Sequence, residues 1–117
     1  MNIEDVRAYC LSKKCATEEF PFDETTLVFK VLGKMFALTD LEGYLSINLK
    51  CDPEKAIELR ENYSNVLPGY HMNKKHWNTV MIDGSVSVRL ILTWIDESYD
   101  LVVSKLTKKE KEILENS

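Results

Sequence analysis

A chain of 117 residues with 44% hydrophobic and 29% charged side chains is long enough to bury the core of one domain without covalent staples, and a single domain over 1–117 is expected. It contains no run of eighteen apolar residues, which excludes a spanning helix. The net charge of −4 and pI of about 5.2 argue against strong non-specific binding of nucleic acid, because that requires several phosphates to be neutralised by Lys and Arg.

The opening Met1-Asn2-Ile3-Glu4-Asp5 is acidic where a secretion signal would be basic and then apolar, so a cytoplasmic protein is expected. Ile3, Val6, Cys10 and Leu11 recur at helical spacing and predict a helix over 3–13, with Asn2 as N-cap and Glu4 and Asp5 in the first turn. Residues 15–24 read as an acidic connector. Three strands follow: Thr25–Leu32, Met35–Thr39 after a tight turn at Gly33-Lys34, and Tyr44–Lys50. In the last, Leu45, Ile47 and Leu49 alternate with Ser46, Asn48 and Lys50, the mark of an antiparallel sheet with one wet face. Asp52-Pro53-Glu54 starts a second helix that ends near Tyr63. Two short strands, Gly69–Met72 and His76–Ile82, are placed around Asn73-Lys74, with residues 64–69 as a loop. Val88, Ile91, Leu92, Ile95, Tyr99, Val102 and Val103 give the longest helix a broad apolar face, and Thr107-Lys108-Lys109-Glu110 fits a capping box that opens a final helix. The predicted class is α+β: an antiparallel sheet of about five strands with helices packed on one face, in the order α-β-β-β-α-β-β-α-α.

Charge is distributed unevenly. Residues 1–24 carry six acids against three bases, whereas residues 65–95 carry Lys74, Lys75 and Arg89 against Asp83 alone. The richest stretch is Pro68-Gly69-Tyr70-His71-Met72-Asn73-Lys74-Lys75-His76-Trp77-Asn78-Thr79. Basic, aromatic and amide groups gathered in this way suit a phosphate backbone or a flat ring. Lys74 and Lys75 would meet phosphates, Asn73 a phosphate or base edge, and Trp77 would stack on a base. His71 and His76 flank them, and Lys30, Lys34 and Lys50 extend the patch if the open sheet face adjoins the loop. Arg89 would complete an anion site or pair with Asp96 or Glu97. The competing account of the same run is structural: in an alternating strand one of His76 and Trp77 faces the core, and Trp is favoured for that place.

Other chemistry is thinly represented. Cys10, Cys15 and Cys51 form no CxxC pair and are expected to be reduced, structural thiols. Cys51 precedes a helix start, where a thiol pKa can fall, but has no base nearby in sequence. His71 and His76 lack the Cys or Asp that would complete a zinc set. No Ser or Cys has a base at catalytic spacing, so neither an enzyme nor a resident cofactor or metal is expected.

Several segments taken together resemble the MmcQ/YjbR family of small bacterial proteins. They are Ile3–Lys13, Phe20–Thr25, Val31–Leu38, Ile47–Pro53, Ile95–Val102 and, above all, the run Pro68–Thr79. The resemblance implies a CyaY-like fold and a DNA-binding role. The expectation is a monomeric binding module that contacts DNA weakly and in a salt-sensitive way through His71, Asn73, Lys74, Lys75, His76, Trp77, Lys30, Lys34 and Arg89, with no membrane association. The alternative is an adaptor for a small ligand or protein partner with no nucleic-acid role. The acidic group Glu18, Glu19, Asp23 and Glu24 resembles the iron-binding surface of frataxin-type proteins in composition only, and a solvated connector accounts for it more simply.

Overall fold

Alternation within one strand decides how the sheet is covered. The computed structural model of the protein describes residues 1–69 and 72–117. In its β2 strand (Thr26–Val31), Leu27, Phe29 and Val31 enter the main core, while Val28 joins a separate cluster on the other side. Successive side chains of a strand point to opposite faces, so one face is packed under helices and the other is nearly bare.

The elements are α1 (Ile3–Leu11), β1 (Ala16–Glu19), β2, β3 (Lys34–Asp40), β4 (Ser46–Lys50), α2 (Pro53–Asn62), β5 (Val66–Pro68), β6 (Trp77–Met81), α3 (Val88–Ser104) and α4 (Lys108–Glu115). The strands form one six-stranded sheet in the order β1-β2-β3-β4-β6-β5, and every pairing is antiparallel. The α+β class, the antiparallel sheet and the one-sided helices are as expected.

The sixth strand arises where the acidic connector was expected. β1 pairs with β2 from Ala16↔Val31 to Glu19↔Val28, and its acids are held on both sides of the sheet. Glu18 accepts from the Arg7 guanidinium on α1, and Glu19 pairs with Lys30. Asp23, just beyond, accepts from the backbone amides of Thr25 and Thr26 at 2.9 and 2.6 Å. The group is thus an edge strand and a turn, with three of its four acids engaged. The β5 strand also departs from expectation, pairing with β6 from Val66↔Val80 to Pro68↔Asn78. It lies ahead of the predicted strand over 69–72, which includes Tyr70 and His71, both outside the described residues.

Local chemistry sets the ends. Asn2 and Asp5 form a reciprocal capping box on α1, as do Thr107 and Glu110 on α4. The β2–β3 turn falls on Leu32 and Gly33, with φ of 47° and 80°, one residue earlier than expected. Two positive φ values in a two-residue hairpin match the right-handed strand twist. A β-bulge opposite Phe29 and Lys30 lets Phe36 and Ala37 both face the helices, while Met35 and Leu38 face the other way. The main core joins these residues to α3, whose Ile91, Trp94, Ile95, Tyr99 and Val102 are buried. Ser98 ties the two layers: its hydroxyl donates to Phe36 O at 2.6 Å and accepts from the Lys50 amide at 2.9 Å.

Candidate nucleic-acid interface

The helix-free face is not flat. The segment leading into β6 folds against it, and Met72 and Trp77 pack with Val28, Leu38 and Met35 in a small second core. Trp77 is only 6% exposed, which makes it the floor of the face and leaves no ring surface for a base to stack on. The structural account of Trp77 therefore holds over the stacking one. Gly69 explains part of this fit. A Cβ at that position would stand 2.9 Å from both the Cβ and the carbonyl oxygen of Trp77, closer than side chains tolerate.

The rest of the run builds the loop itself. Asn73 Oδ1 accepts from the Lys75 amide at 2.9 Å, and Asn73 O accepts from the amides of His76 and Trp77. Its side chain thus shapes the turn, as Asx side chains commonly do. Arg60 of α2 clamps the loop from behind, donating to Lys74 O at 3.2 Å and to Asn78 Oδ1 at 2.8 Å. Asn78, buried, donates in turn to Ala56 O at 3.2 Å. Lys74 and Lys75 lie exposed on the outside of this anchored loop, and His76 is half-buried. His71 lies outside the described residues.

Strand direction now gathers the lysines. β2 and β4 end, and β3 and β6 begin, at the same edge of the sheet, because Val31 pairs with Lys34 and Lys50 with Trp77. α3 also terminates there. Lys30, Lys34, Lys50 and Lys105 line one groove of about 530 Å3, with Gly33, Met35, Trp77 and Val102 as its remaining walls. The loop carrying Lys74 and Lys75 opens at the same edge, since His76 O accepts from the Cys51 amide that follows β4. Acids near this edge include Glu19, which pairs with Lys30, Asp52 and Glu97, which line a cleft with Lys50, and Glu110, whose carboxyl is held below its usual range chiefly by the Thr107 amide and also by Lys34.

Of the residues singled out from the sequence, Lys30, Lys34, Lys50 and Trp77 line this groove, and Lys74 and Lys75 lie exposed at the same edge. Lys105, which the sequence did not single out, is brought to the groove by the end of α3. Arg89 does not belong to the group. It stands at the start of α3, sixteen residues before Lys105 in sequence, or roughly 24 Å along the helix axis at about 1.5 Å per residue.

The opposite edge of the same face is acidic. There β2 begins and β3 ends, with Thr26 paired to Asp40. A second cavity of about 390 Å3 is lined by Phe22, Asp23, Thr25, Thr26, Leu38, Asp40, Asn48 and Met72. Phe22 is 62% exposed.

Other candidate chemistry is weaker on geometry. Burial, then Glu97 and Asp52, push the Cys51 thiol up to about 11, and burial pushes Cys10 up to about 12. Both are protonated at neutral pH and are poor nucleophiles. Among the described residues, no three His, Cys, Asp or Glu side chains come together to hold a metal ion, and no helix is long and apolar enough to cross a membrane.

The model that represents the YjbR family matches residues 11–101. The uncharacterised protein YjbR of Escherichia coli (strain K12) is 34% identical over 115 residues, covering 97% of this chain and 98% of that one. YbdF of Escherichia coli O157:H7, also described as uncharacterised, is 42% identical over 93 residues, or 79% of this chain and 76% of its own. Among solved structures, the Deinococcus radiodurans protein DR2400, domain DUF419, superposes with a TM-score of 0.89 at 45% identity over 97% of this chain and 87% of that one. A Pseudomonas syringae protein superposes with a TM-score of 0.73 at 28% identity over 86% of this chain and 98% of its own.

Proposed function

Since this chain belongs to the YjbR family, whose relatives named above are described as uncharacterised, we propose a function from its own surface: a non-catalytic protein that binds nucleic acid through the lysine-lined edge of its helix-free sheet face. The observation that carries this reading is the convergence of Lys30, Lys34, Lys50 and Lys105 on one groove, with Lys74 and Lys75 exposed at the same edge. It answers the objection raised by the net charge. Association depends on the local field more than on the sum, and a concave basic surface focuses that field. Six lysines gathered at one edge support weak binding, and the Lys30–Glu19 pair tempers it. Each phosphate engaged on a single strand contributes about −0.7 to the slope of log K against log salt.

The test is fluorescence anisotropy with labelled 12-mer oligonucleotides from low to moderate salt. We expect the triple variant Lys34→Ala, Lys50→Ala, Lys105→Ala to bind at least tenfold more weakly and to lose about 2 from that slope. An unchanged affinity and slope would remove the assignment.

A second reading, binding of a small ligand, rests on a different feature. A cleft of about 290 Å3 between α2, α3 and the sheet is lined by Leu49, Leu59, Val80, Trp94 and Leu101, with Lys55 and Glu97 among its polar residues. A thermal-shift panel of nucleotides, phosphates and small amphiphiles separates the two readings, because a compound bound only by the native state raises Tm. If Leu101→Trp abolishes the shift given by a compound while oligonucleotide binding persists, the ligand belongs to this cleft.

A further inference from the structure

Resting on the nucleic-acid reading above, we infer that the occupant is a single strand, held with phosphates in the lysine groove and one unstacked base in the cavity between Phe22 and Met72. The second cavity lies on the helix-free face, the lysine groove wraps the edge of that face toward the end of α3, and the small second core lies between them. Trp77 and Met35 wall one, and Leu38 and Met72 wall the other. Lys50 and Asn48 lie on the same face of β4, two residues apart, which is about 7 Å along a strand. That is the scale of one nucleotide.

The chemistry of the two cavities differs in the way a nucleotide differs from end to end. The first offers four ammonium groups. The second offers Asp23 and Asp40, which repel phosphate, together with an aromatic ring, a thioether and amide and hydroxyl groups. Its polar atoms are not all committed. Asp23 is engaged by the amides and hydroxyls of Thr25 and Thr26. Asp40 Oδ1 accepts from the Glu42 amide at 2.9 Å, and its carboxylate has further acceptor capacity for the donors of a base edge. Asn48 Oδ1 accepts from Thr79 at 2.5 Å, which orients its amide nitrogen as a donor. Phe22 is a large apolar ring left 62% exposed at the mouth of a cavity, a position that suits a stacking platform for a flat ligand.

A duplex does not fit this pattern. Its two phosphate rows run on either side of a groove about 6 or 12 Å wide, and among the described residues the face offers one basic edge. Lys34 and Asp40 stand at opposite ends of β3, six residues or roughly 20 Å apart, so a duplex laid across the face would set phosphates against Asp40 and Asp23. A single strand places phosphates at one edge and turns a base toward the other.

The experiment compares a 12-mer single strand with its duplex, using the native chain and the variants Phe22→Ala and Lys34→Ala. We expect the single strand to bind at least fivefold more tightly than the duplex. Phe22→Ala should weaken single-strand binding about fivefold to a hundredfold, the range for loss of one base stack, with the salt slope and duplex binding unchanged. Lys34→Ala should weaken both substrates and lower the slope. Because Phe22 is exposed, its removal leaves the core intact, and an unchanged Tm confirms this. Equal affinity for the two substrates with a silent Phe22→Ala, while Lys34→Ala still acts, overturns this inference and leaves the broader reading standing. Absence of binding to either substrate overturns both.

Discussion

The two faces of the sheet use similar residues to different ends. Under the helices, Phe29, Phe36, Ile47, Ile91 and Ile95 are fully buried, and buried polar groups are few, among them Ser98, which ties the two layers, and Thr39, which bonds within the sheet. On the other face the apolar residues are fewer, and they form a ridge between a basic groove and a cavity with two acids. The first face has the density of a core, opened only by the cleft between α2, α3 and the sheet among the described residues. The second is stable enough to keep its shape and open enough to bind. Substitutions on the first face should therefore act on stability and those on the rim of the second on binding.

The largest expected effect lies on the covered face. Phe36→Ala removes a ring that packs edge-on against Tyr99 at 5.3 Å, and urea denaturation should show a loss of about 3–5 kcal/mol. Next is Gly69→Ala, which drives a methyl group against the backbone and Cβ of Trp77. A loss of about 1–3 kcal/mol is expected, accompanied by a change in tryptophan emission as the second core is displaced. A neutral result there would mean that the loop is not seated on Trp77.

The triple lysine variant should do the reverse of these two. Its Tm should stay within a few degrees of the native value, since Lys34 and Lys105 are exposed, Lys50 is half-buried, and surface charges contribute little to stability, while oligonucleotide affinity falls tenfold, about 1.4 kcal/mol. A matching fall in Tm would blur the division between the faces.

How far the sequence alone could reach differs between these regions. The helix ends were legible because caps are local. Asn2, Pro53 and the Thr107–Glu110 box each act within one turn of the residues that they specify. β1 was not legible, because Ala16-Thr17-Glu18-Glu19 has neither apolar alternation nor β-branched density. It becomes a strand through its pairing with β2 and through Arg7 and Lys30, all distant in sequence. The lysine groove was half legible for the same reason. Lys30, Lys34 and Lys50 follow from strand alternation and hairpin direction, but Lys105 arrives through the length and packing of α3. Arg89, near the loop in sequence, is carried to the far end by the same helix. The run Pro68–Thr79 was visible as a cluster of unusual residues, yet its division of labour was not. Met72, Trp77, Gly69, Asn73 and Asn78 build the loop, while Lys74 and Lys75 are exposed.

The smallest expected effect concerns acid stability on the covered side. The Asp96 carboxyl is pulled up by burial, but hydrogen bonds from Lys13 and Tyr9 outweigh this and hold it below the usual carboxylate range. A carboxyl with a depressed folded pKa stabilises the fold above its unfolded value of about 3.9. That contribution is lost as pH falls through the lower, folded value. Asp96→Asn should therefore reduce stability slightly at pH 7 and flatten its decline between pH 5 and 2. Partial exposure of the pair keeps the effect small. An undiminished acid slope in the variant would show that other carboxylates carry it, and oligonucleotide affinity at pH 7 should not move.

The most direct test of the central claim is a titration of the 15N-labelled protein with a 12-mer single strand, followed by amide chemical shifts at low salt. The account predicts that the perturbed signals cluster at Lys30, Lys34, Lys50, Trp77 and Lys105, extend to Phe22 and Asp40, and fade as salt rises, while Arg89 and the covered core stay fixed. Perturbation confined to α1, to α3 near Arg89 or to the cleft between α2 and α3 would contradict it.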